Sequence, residues 1–359
     1  MPHAHAHADR PHRSPIACIV PPDILRDVIR NGNPDERDAA ADTMAIDQTF
    51  RTLRAHFTAT VAATQIPMRP MGSAGGRPQR TVYDQQHTED IAPGKVARTE
   101  GSRAVKDPAV NEAYDHFGDT YKFYWQVLGR NSIDNAGMPL LGLVHYSTNY
   151  DNAFWDGQGH MFFGDGDGNL LIRLTKSADV IGHELTHGVT QYEASLVYQG
   201  QSGALNESIS DVFGSLVKQY ASKQTAEQAD WLIGNDVVGP ALQPALRSMK
   251  APGTANKYDK QPATMDGYVT TAADNGGVHQ NSGIPNHAFY IVATTLGGNA
   301  WERAGHIWYD AIRDAKVKPT TGFKSFAAAT VRQAGIRFGT TSAEVDAVRA
   351  GWSQVKVPL

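Results

Sequence analysis

Two short segments of the 359-residue sequence hold side chains that could bind a metal ion together. The first, His-Glu-Leu-Thr-His at residues 183–187, lies within an apolar run that predicts a helix. The second, Asn-Glu-Ser-Ile-Ser-Asp at residues 206–211, opens another helical pattern just downstream. Imidazole nitrogens and carboxylate oxygens are common zinc ligands, so the two segments predict a zinc site between two helices.

The first segment has the spacing of a metal-binding helix. Residues four apart on an α-helix are offset by about 40° and rise about 6 Å, so the rings of His183 and His187 can share one ion. Glu184 lies about 100° around the helix from His183, which places its carboxylate beside the ion, where a base acting on bound water is needed. The segment alone also fits an amphipathic helix with two chance histidines.

The second segment offers the third ligand. Glu207 and Asp211 lie one turn apart, away from the apolar face of their helix. Two histidines, one glutamate and an open fourth position form the catalytic type of zinc site, and a single cysteine excludes a closed site of four thiolates. Because zinc-bound imidazoles usually donate their other nitrogen proton, we expect Asp211 to hold His183 and Asn206 to hold His187.

With further motifs at residues 152–155 (Asn-Ala-Phe-Trp), 196–199 (Leu-Val-Tyr-Gln) and 274–279 (Asp-Asn-Gly-Gly-Val-His), the sequence resembles the thermolysin family of zinc metallopeptidases. The resemblance runs from about Thr81 to the C-terminus. Within the family, the chain resembles the protealysin-like branch, whose propeptides are short.

The resemblance implies an α+β fold with two lobes. A β-rich N-terminal lobe and an α-helical C-terminal lobe should hold the active-site helix between them. We divide the chain into an N-terminal tail and propeptide at 1–72, a β-rich lobe with the zinc-binding helix at 73–192, and an α-helical lobe at 193–359.

The same resemblance assigns catalytic roles. Zinc lowers the pKa of its bound water to about 7, and Glu184 would act as general base on this nucleophile and then protonate the leaving amine. Tyr198 and His279 resemble the groups that stabilise the negative charge on the former carbonyl oxygen, with Asp274 orienting His279. One such donor typically lowers the barrier by about 3 kcal/mol.

Substrate binding is also implied by the resemblance. Asn152 and the Ala153 carbonyl should bond to the substrate backbone, and Arg247 should bind a substrate carbonyl. An apolar pocket for the residue after the scissile bond predicts cleavage on the amino side of bulky hydrophobic residues. The predicted pocket residues are Leu171, Leu174, Val180, Ile233, Val237 and Leu246.

Calcium sites of the family are only partly matched. Two acidic residues of the double calcium site remain, Asp179 and Asp230, but other matching positions hold Lys218, Leu232 and Asn235. Lysine and leucine side chains cannot bind calcium, which takes six to eight oxygens. We therefore expect one zinc ion and no double calcium site, with the Lys218 ammonium near the position of an ion.

Composition restricts the remaining functions. With 41% hydrophobic and 19% charged residues, the chain can form two lobes with cores of their own. A net charge of -4 predicts no nucleic-acid or membrane partner. We expect a monomer that binds peptide or protein substrates. The first residues lack the apolar stretch of a secretory signal, which predicts a cytoplasmic precursor or export by a non-standard route. Histidines interrupt this start at His3, His5, His7 and His12.

The segment before the catalytic lobes resembles a protealysin-type propeptide. Residues 19–26 match its opening, residues 44–64 predict a helix, and the stretch 67–79 is rich in proline and glycine. We expect a maturation cut between about residues 63 and 80 and inhibition of the enzyme by its own propeptide. An N-terminal extension that is never removed is the alternative. A second hypothesis places the Cys18 thiolate on the open zinc position.

Periodicity predicts the remaining elements. Residues 81–176 should be rich in strands, including segments 145–148 and 161–163, with one helix that begins at Asp107. Helical periods dominate beyond Asp179. The clearest are residues 282–295, 300–315, 322–335 and 342–355.

Two rival functions share the metal motif. A gluzincin-type aminopeptidase would keep the zinc ligands, but it needs an acidic anchor for the amino terminus of its substrate. A non-catalytic zinc-binding protein would not need Glu184, Tyr198, Arg247 and His279 together.

Overall fold

The computed structural model describes residues 17–61 and 75–359, with side chains described for 18–48 and 75–359. It has the predicted α+β architecture of a β-rich lobe followed by a helical lobe. No helix in the described ranges is both long and apolar enough to cross a membrane.

A six-stranded mixed sheet forms the first lobe, in the order β1-β5-β6-β4-β2-β3. The neighbours β2, β4 and β6 are parallel, whereas β1 pairs antiparallel with β5 at the sheet edge. The strands are β1 (Ala17–Cys18), β2 (Arg80–Asp84), β3 (Lys95–Thr99), β4 (Leu140–Val144), β5 (Ala153–Trp155) and β6 (His160–Phe163).

One long helix, α3 (Pro108–Leu128), packs on this sheet. Its start was predicted: Asp107 Oδ1 accepts a hydrogen bond from Ala109 N at 2.9 Å, and proline occupies the first helical position. The helix ends at Gly129, whose φ of 65° glycine tolerates without steric cost.

Helices build the second lobe, where all four predicted helical segments are found within a few residues. The third of these, 300–315, is a π-helical turn followed by the short helix α8. The helices are α4 (Ala178–Glu193), α5 (Gly200–Ser222), α6 (Asp274–Asn281), α7 (Gly283–Leu296), α8 (His306–Ile312), α9 (Phe323–Phe338) and α10 (Ala343–Gln354). A small antiparallel pair, β7 (Leu232–Ile233) and β8 (Arg247–Ser248), lies between α5 and α6.

The helices α4 and α5 pack closely against each other. A Cβ atom at Gly214 would lie 2.4 Å from the Asp179 carbonyl oxygen, so only glycine allows this approach. The helix α5 begins at Gly200, and residues 206–211 therefore lie inside it and face α4.

One local prediction was wrong. Residues 145–148 are not a strand, because the chain leaves the sheet after Val144 and both His145 and Ser147 have left-handed backbones with φ of 55° and 56°. The helix predicted at 44–64 is present over its described part, 44–61, but this helix, α2 (Pro34–Val61), begins ten residues before position 44. Asn33 Oδ1 caps it by accepting a bond from Glu36 N at 2.9 Å.

A shorter helix, α1 (Pro22–Asn31), precedes α2 and packs against it, and side chains of both helices contact the catalytic lobes. Gln280 Nε2 donates to Asp23 Oδ2 at 2.7 Å, and Lys260 forms an ion pair with Asp27. The histidine tail and residues 62–74, which include most of the predicted cleavage region, lie outside the described residues.

Candidate active site

Three predicted ligands meet between α4 and α5. His183 Nε2 and His187 Nε2 lie 2.9 Å apart, and the two carboxylate oxygens of Glu207 lie 3.5 and 3.6 Å from them. One ligand atom from each residue lies within 4.8 Å of the other two, and all three side chains are buried. These three donors fit a zinc ion with a fourth position left for solvent or substrate.

Each imidazole is held through its other nitrogen. His183 Nδ1 lies 2.8 Å from Asp211 Oδ1, and His187 Nδ1 lies 2.8 Å from Asn206 Oδ1. These are the partners expected from the sequence, and they leave both Nε2 atoms free to bind an ion. Burial, reinforced by His183, holds the pKa of His187 well below its usual value, so this ring is neutral and ready to act as a ligand.

Asp211 has a second function that sequence reasoning missed. Its oxygens accept hydrogen bonds from Arg247 at 2.8 and 2.9 Å and from Asn286 Nδ2 at 2.8 Å. Burial alone would raise the pKa of Asp211, but Arg247 and His183 hold it well below the usual range. One carboxylate thus orients both the predicted metal ligand His183 and the guanidinium of Arg247. Asn286 lies 75 positions away on α7, and no sequence signal identified it.

Glu184 lies beside the three ligands and is fully buried. Its Oε2 accepts a hydrogen bond from Trp155 N at 3.0 Å, and its Oε1 has no partner among the described residues. Burial, with a contribution from Glu207, raises the pKa of Glu184 well above its usual value. The carboxyl group therefore has one oxygen anchored and one free for proton transfer.

Tyr198 and His279 face the same centre. The Tyr198 hydroxyl lies 3.1 Å from His279 Nε2 and donates a hydrogen bond to Glu207. Asp274 Oδ1 lies 2.7 Å from His279 Nδ1, and Asp274 Oδ2 accepts a bond from His279 N at 2.9 Å. Burial alone would lower the pKa of His279, but the carboxylates of Asp274 and Glu207 raise it well above the usual value. The ring is therefore a charged donor.

An extended segment of the chain itself lies across these groups. Ile19 N donates to the Ala153 carbonyl at 3.2 Å, and Val20 N donates to Asn152 Oδ1 at 3.0 Å. Arg247 Nη1 donates to the Ile19 carbonyl at 2.6 Å, and His279 Nε2 lies 3.0 Å from the Cys18 carbonyl oxygen. Four groups predicted to bind substrate thus bind one stretch of the propeptide.

The six predicted pocket residues are buried in the same hydrophobic cluster as Ile19. Leu246 N donates to the Ile233 carbonyl at 3.0 Å, next to the Ile233–Arg247 pair of β7 and β8. The pocket side chains are at most 1% exposed: Leu171, Leu174, Val180, Ile233, Val237 and Leu246.

The Cys18 thiol is not placed with the zinc ligands. It packs in a separate apolar cluster with Tyr150, Phe154 and Phe162, and its Sγ lies 3.7 Å from the Val20 carbonyl. The groups of metal-binding side chains found in the described ranges do not include it. Instead, the backbone carbonyl of Cys18 faces the catalytic residues.

The propeptide helix α2 also contacts the segment that precedes β5, which includes the predicted substrate-binding residue Asn152. Asp47 Oδ2 accepts a hydrogen bond from Asn152 Nδ2 at 3.0 Å, and Asp47 Oδ1 accepts one from the Tyr150 hydroxyl at 2.5 Å. Asp47 thereby orients the amide of Asn152 so that its oxygen faces Val20. Sequence analysis missed this residue because its partners lie more than 100 positions away.

A second charged cluster lies near the start of α4 and the end of α5. Lys218 Nζ donates to Asn235 Oδ1 at 2.6 Å and to Asp230 Oδ2 at 3.0 Å, and it lies 3.5 Å from Asp179 Oδ2. Burial lowers the pKa of Lys218, but Asp179 and Asp230 more than offset this and raise it. The ammonium therefore stays charged among these oxygens.

Comparison with known proteins matches both lobes to family models. The model described as thermolysin metallopeptidase, catalytic domain, matches residues 71–191, and the model described as its alpha-helical domain matches residues 194–357. An extracellular metalloprotease of Pectobacterium carotovorum subsp. carotovorum is 46% identical over 351 residues, covering 96% of this chain and 97% of the relative. A thermolysin of Alicyclobacillus acidocaldarius is 40% identical over 265 residues, covering 71% of this chain and 46% of the relative.

A solved structure is similar over nearly the whole chain. The precursor of protealysin, a metalloproteinase from Serratia proteamaculans, has a TM-score of 0.85 and 46% sequence identity. The match covers 95% of this chain and 100% of that chain, so it includes the propeptide.

Proposed function

The chain belongs to the thermolysin family of metallopeptidases, and from that premise we propose how its residues divide the work of a zinc-dependent neutral endopeptidase. The protein is a metallopeptidase that hydrolyses peptide bonds, and the chain is its zymogen form. The observation that carries our assignment of roles is the extended segment 18–20, whose backbone lies across the site as a substrate would.

We assign the catalytic zinc to His183, His187 and Glu207. When bound there, the ion lowers the pKa of a water to about 7 and polarises the scissile carbonyl. The chain supplies the fixed geometry, because Asp211 and Asn206 hold each imidazole in one orientation.

We assign proton transfer to Glu184. Its free oxygen takes the proton of the attacking water and passes it to the leaving amide nitrogen, while the Trp155 N–H holds the other oxygen. A buried carboxyl group with a raised pKa is a strong base, which suits this task.

Stabilisation of the negative charge on the former carbonyl oxygen falls to Tyr198 and His279. The carbonyl of Cys18 occupies the place of the scissile carbonyl, and it lies at hydrogen-bond distance from His279 Nε2. Each donor is expected to lower the barrier by about 3 kcal/mol. Asp274 keeps His279 protonated and oriented.

We assign substrate positioning to Asn152, the Ala153 carbonyl and Arg247, which bind the propeptide backbone in this structure. The side chain after the scissile bond enters the place of Ile19, which supports cleavage on the amino side of bulky hydrophobic residues. The walls of this pocket are assigned to the six residues Leu171, Leu174, Val180, Ile233, Val237 and Leu246.

The propeptide acts as an intramolecular inhibitor in this proposal. It places the Cys18–Ile19 bond over the catalytic groups and so excludes other peptides. That the enzyme is a monomer stays a prediction. The maturation cut between about residues 63 and 80 stays a prediction.

We also propose that the double calcium site of the family is lost. The cation at its position is the Lys218 ammonium, which bonds to Asp230 and Asn235 and lies near Asp179. A positive charge held there would repel a calcium ion.

An endopeptidase fits the geometry better than the aminopeptidase considered above. The bound segment continues on the N-terminal side of Cys18, where Ala17 pairs with Trp155, so the site accepts residues before the scissile bond. We expect a peptide with a blocked amino terminus to be cleaved at a rate similar to that of the free peptide. An aminopeptidase would leave the blocked peptide intact.

The proposal is tested by Glu184→Gln in the full-length precursor, with Glu302→Gln as the matched control at an exposed position. Mass spectrometry of the N-terminus and casein hydrolysis should show self-processing and activity in the unaltered protein and the control. Both should be absent from Glu184→Gln. Casein hydrolysis by zinc-loaded Glu184→Gln at the unaltered rate would contradict the assigned base.

The cytoplasmic location of the precursor, with non-standard export as its alternative, stays a prediction. Fractionation of producing cells, followed by detection of the precursor with an antibody to its propeptide, would test it.

A further inference from the structure

Three parallel strands of the β-rich lobe end at one edge of the sheet. Shortly after the ends of β2, β4 and β6 come His87, His145 and Asp165 respectively. Because the carboxyl ends of parallel strands lie at the same edge, three residues that are far apart in sequence come close together. This group lies outside the catalytic site.

The three side chains are arranged around one point. His145 Nδ1 lies 2.7 Å from Asp165 Oδ2, and His87 Nδ1 lies 3.7 Å from the same oxygen. One nitrogen or oxygen atom of each residue lies within 4.8 Å of the other two. Two imidazoles and a carboxylate form a donor set that zinc, cobalt, nickel and copper prefer, whereas calcium prefers oxygen alone.

A fourth residue holds the central imidazole from behind. Asp107 Oδ2 lies 2.8 Å from His145 Nε2, so this nitrogen carries the proton and Nδ1 is the one that can bind an ion. The same arrangement, a carboxylate on the far nitrogen of a ligand histidine, occurs at His183 and Asp211 in the catalytic site.

The group is accessible to ions from solution. A cavity of about 480 Å³ opens beside His145 and Asp165, and the side chain of His87 is 56% exposed. Arg173 also lines this cavity, but Glu112 accepts hydrogen bonds from its guanidinium at 2.7 Å and offsets its charge. Water can therefore complete the coordination of an ion bound here.

We propose that His87, His145 and Asp165 bind a second transition-metal ion, with zinc as the physiological candidate. The ion joins the segments that follow three strands, and through Asp107 it is linked to the N-terminus of α3. Its effect is on the stability of the β-rich lobe, since none of these residues contacts the catalytic groups. The inference does not depend on peptidase activity.

The test uses the full-length precursor already loaded with catalytic zinc, titrated with Co²⁺ and followed by visible absorption. His87→Ala removes an exposed ligand, and Asp165→Asn keeps the shape of the carboxylate while it removes the charge. His116→Ala is the matched control, because this partly buried histidine lies on α3 beside Asp119. All four proteins keep the N-terminal histidines, so differences among them report the proposed site.

The unaltered protein and His116→Ala should bind one more equivalent of Co²⁺ than His87→Ala. Asp165→Asn should bind it at least about tenfold more weakly. Added Zn²⁺ should raise the Tm of the unaltered protein and His116→Ala but not that of His87→Ala. Equal Co²⁺ stoichiometry in all four folded proteins, checked by circular dichroism, would overturn the proposal.

Discussion

The helices α4 and α5 carry two clusters of charged and metal-binding side chains, and the two clusters are built on opposite plans. In one cluster, His183, His187 and Glu207 place their nitrogen and oxygen atoms around one point. In the other cluster, Asp179, which lies one turn before His183, faces the ammonium of Lys218. The same helix pair thus carries one site that can bind a metal ion and one site whose cation, the Lys218 ammonium, belongs to the chain itself.

The difference reflects what each cation has to do. An ion that takes part in catalysis must keep a coordination position open for water and substrate, which an ammonium group cannot offer. A cation that only neutralises buried carboxylates needs no open position. Lys218 can fill that function without depending on the calcium concentration of the surroundings.

Metal removal is the largest expected effect and separates the two clusters directly. A chelator that removes zinc from the mature enzyme should lower kcat/KM by at least about a thousandfold, because several kcal/mol of charge stabilisation are lost. Added zinc should restore activity, and added calcium should neither restore activity nor raise the Tm. Calcium-dependent thermal stability of the unaltered enzyme would contradict the proposed function of Lys218.

Removal of the attached cation should reduce stability and leave chemistry intact. Lys218→Met leaves Asp179 buried without its cation, and we expect the free energy of unfolding to fall by about 3 kcal/mol. Urea unfolding checks this value. Casein hydrolysis at 25 °C should stay near the level of the unaltered enzyme.

The matched control is Lys122→Met, at an exposed position on α3, which should change the stability by less than about 0.5 kcal/mol. Calcium should return part of the lost stability to Lys218→Met, since Asp179, Asp230 and Asn235 still offer oxygens. An equal free energy of unfolding for Lys218→Met and Lys122→Met would show that the Lys218 ammonium does not stabilise the fold.

A third change concerns the propeptide segment 18–20, which covers the catalytic cluster. Ile19→Ala removes a buried side chain from the pocket, and propeptide docking should weaken by roughly 2 kcal/mol, or about 30-fold. Casein hydrolysis should therefore appear earlier in a sample of precursor. Ile336→Ala, at a side chain that is 71% exposed, is the control. Unchanged latency in Ile19→Ala would place the blocking contacts elsewhere.

The smallest expected effect concerns pH. Burial, with help from Asp274, raises the pKa of Asp23 above 3.8, and its Oδ1 has no partner among the described residues. Because the pKa of Asp23 is raised when the propeptide is docked on the catalytic lobes, protonation of Asp23 stabilises the docked state. This contribution is complete below pH 3.8 and is lost as the pH rises through the raised pKa. Asp23→Asn should keep the bond to Gln280 and slow activation less than about tenfold at neutral pH.

Activation rates from pH 4 to pH 8, compared with the exposed control Asp38→Asn, check this prediction. Activation of the unaltered precursor should slow towards low pH more than that of Asp23→Asn. Identical pH profiles for the two variants would exclude Asp23 as the responsive group.

The sequence predicted features that depend on local periodicity. His183 and His187 are four residues apart on one helix, so their shared face follows from helix geometry. The pairing of each imidazole with Asp211 or Asn206 follows from the chemistry of ligand histidines. The α+β fold and the family also followed from motifs in the right order.

Contacts across the chain were not predictable in this way. Asp47 binds Asn152 across 105 positions, and Arg247 binds Ile19 across 228, so no local pattern records either contact. Residues 145–148 were predicted as a strand, but His145 and Ser147 have left-handed backbones, which the pattern of residue types does not reveal. Sequence periodicity indicates which residue types alternate, but it does not determine the backbone conformation.

The pairing of β1 with β5 has a consequence for the mature enzyme. Once the propeptide leaves, the sheet has five strands, and β5 becomes an edge strand whose Ala153 carbonyl has lost the hydrogen bond from Ile19 N. Such an edge recruits an incoming polypeptide by β-augmentation, through main-chain bonds that ignore most side chains. The exposed edge of β5 would then explain both a broad choice of substrates and a tendency of the mature enzyme to self-associate.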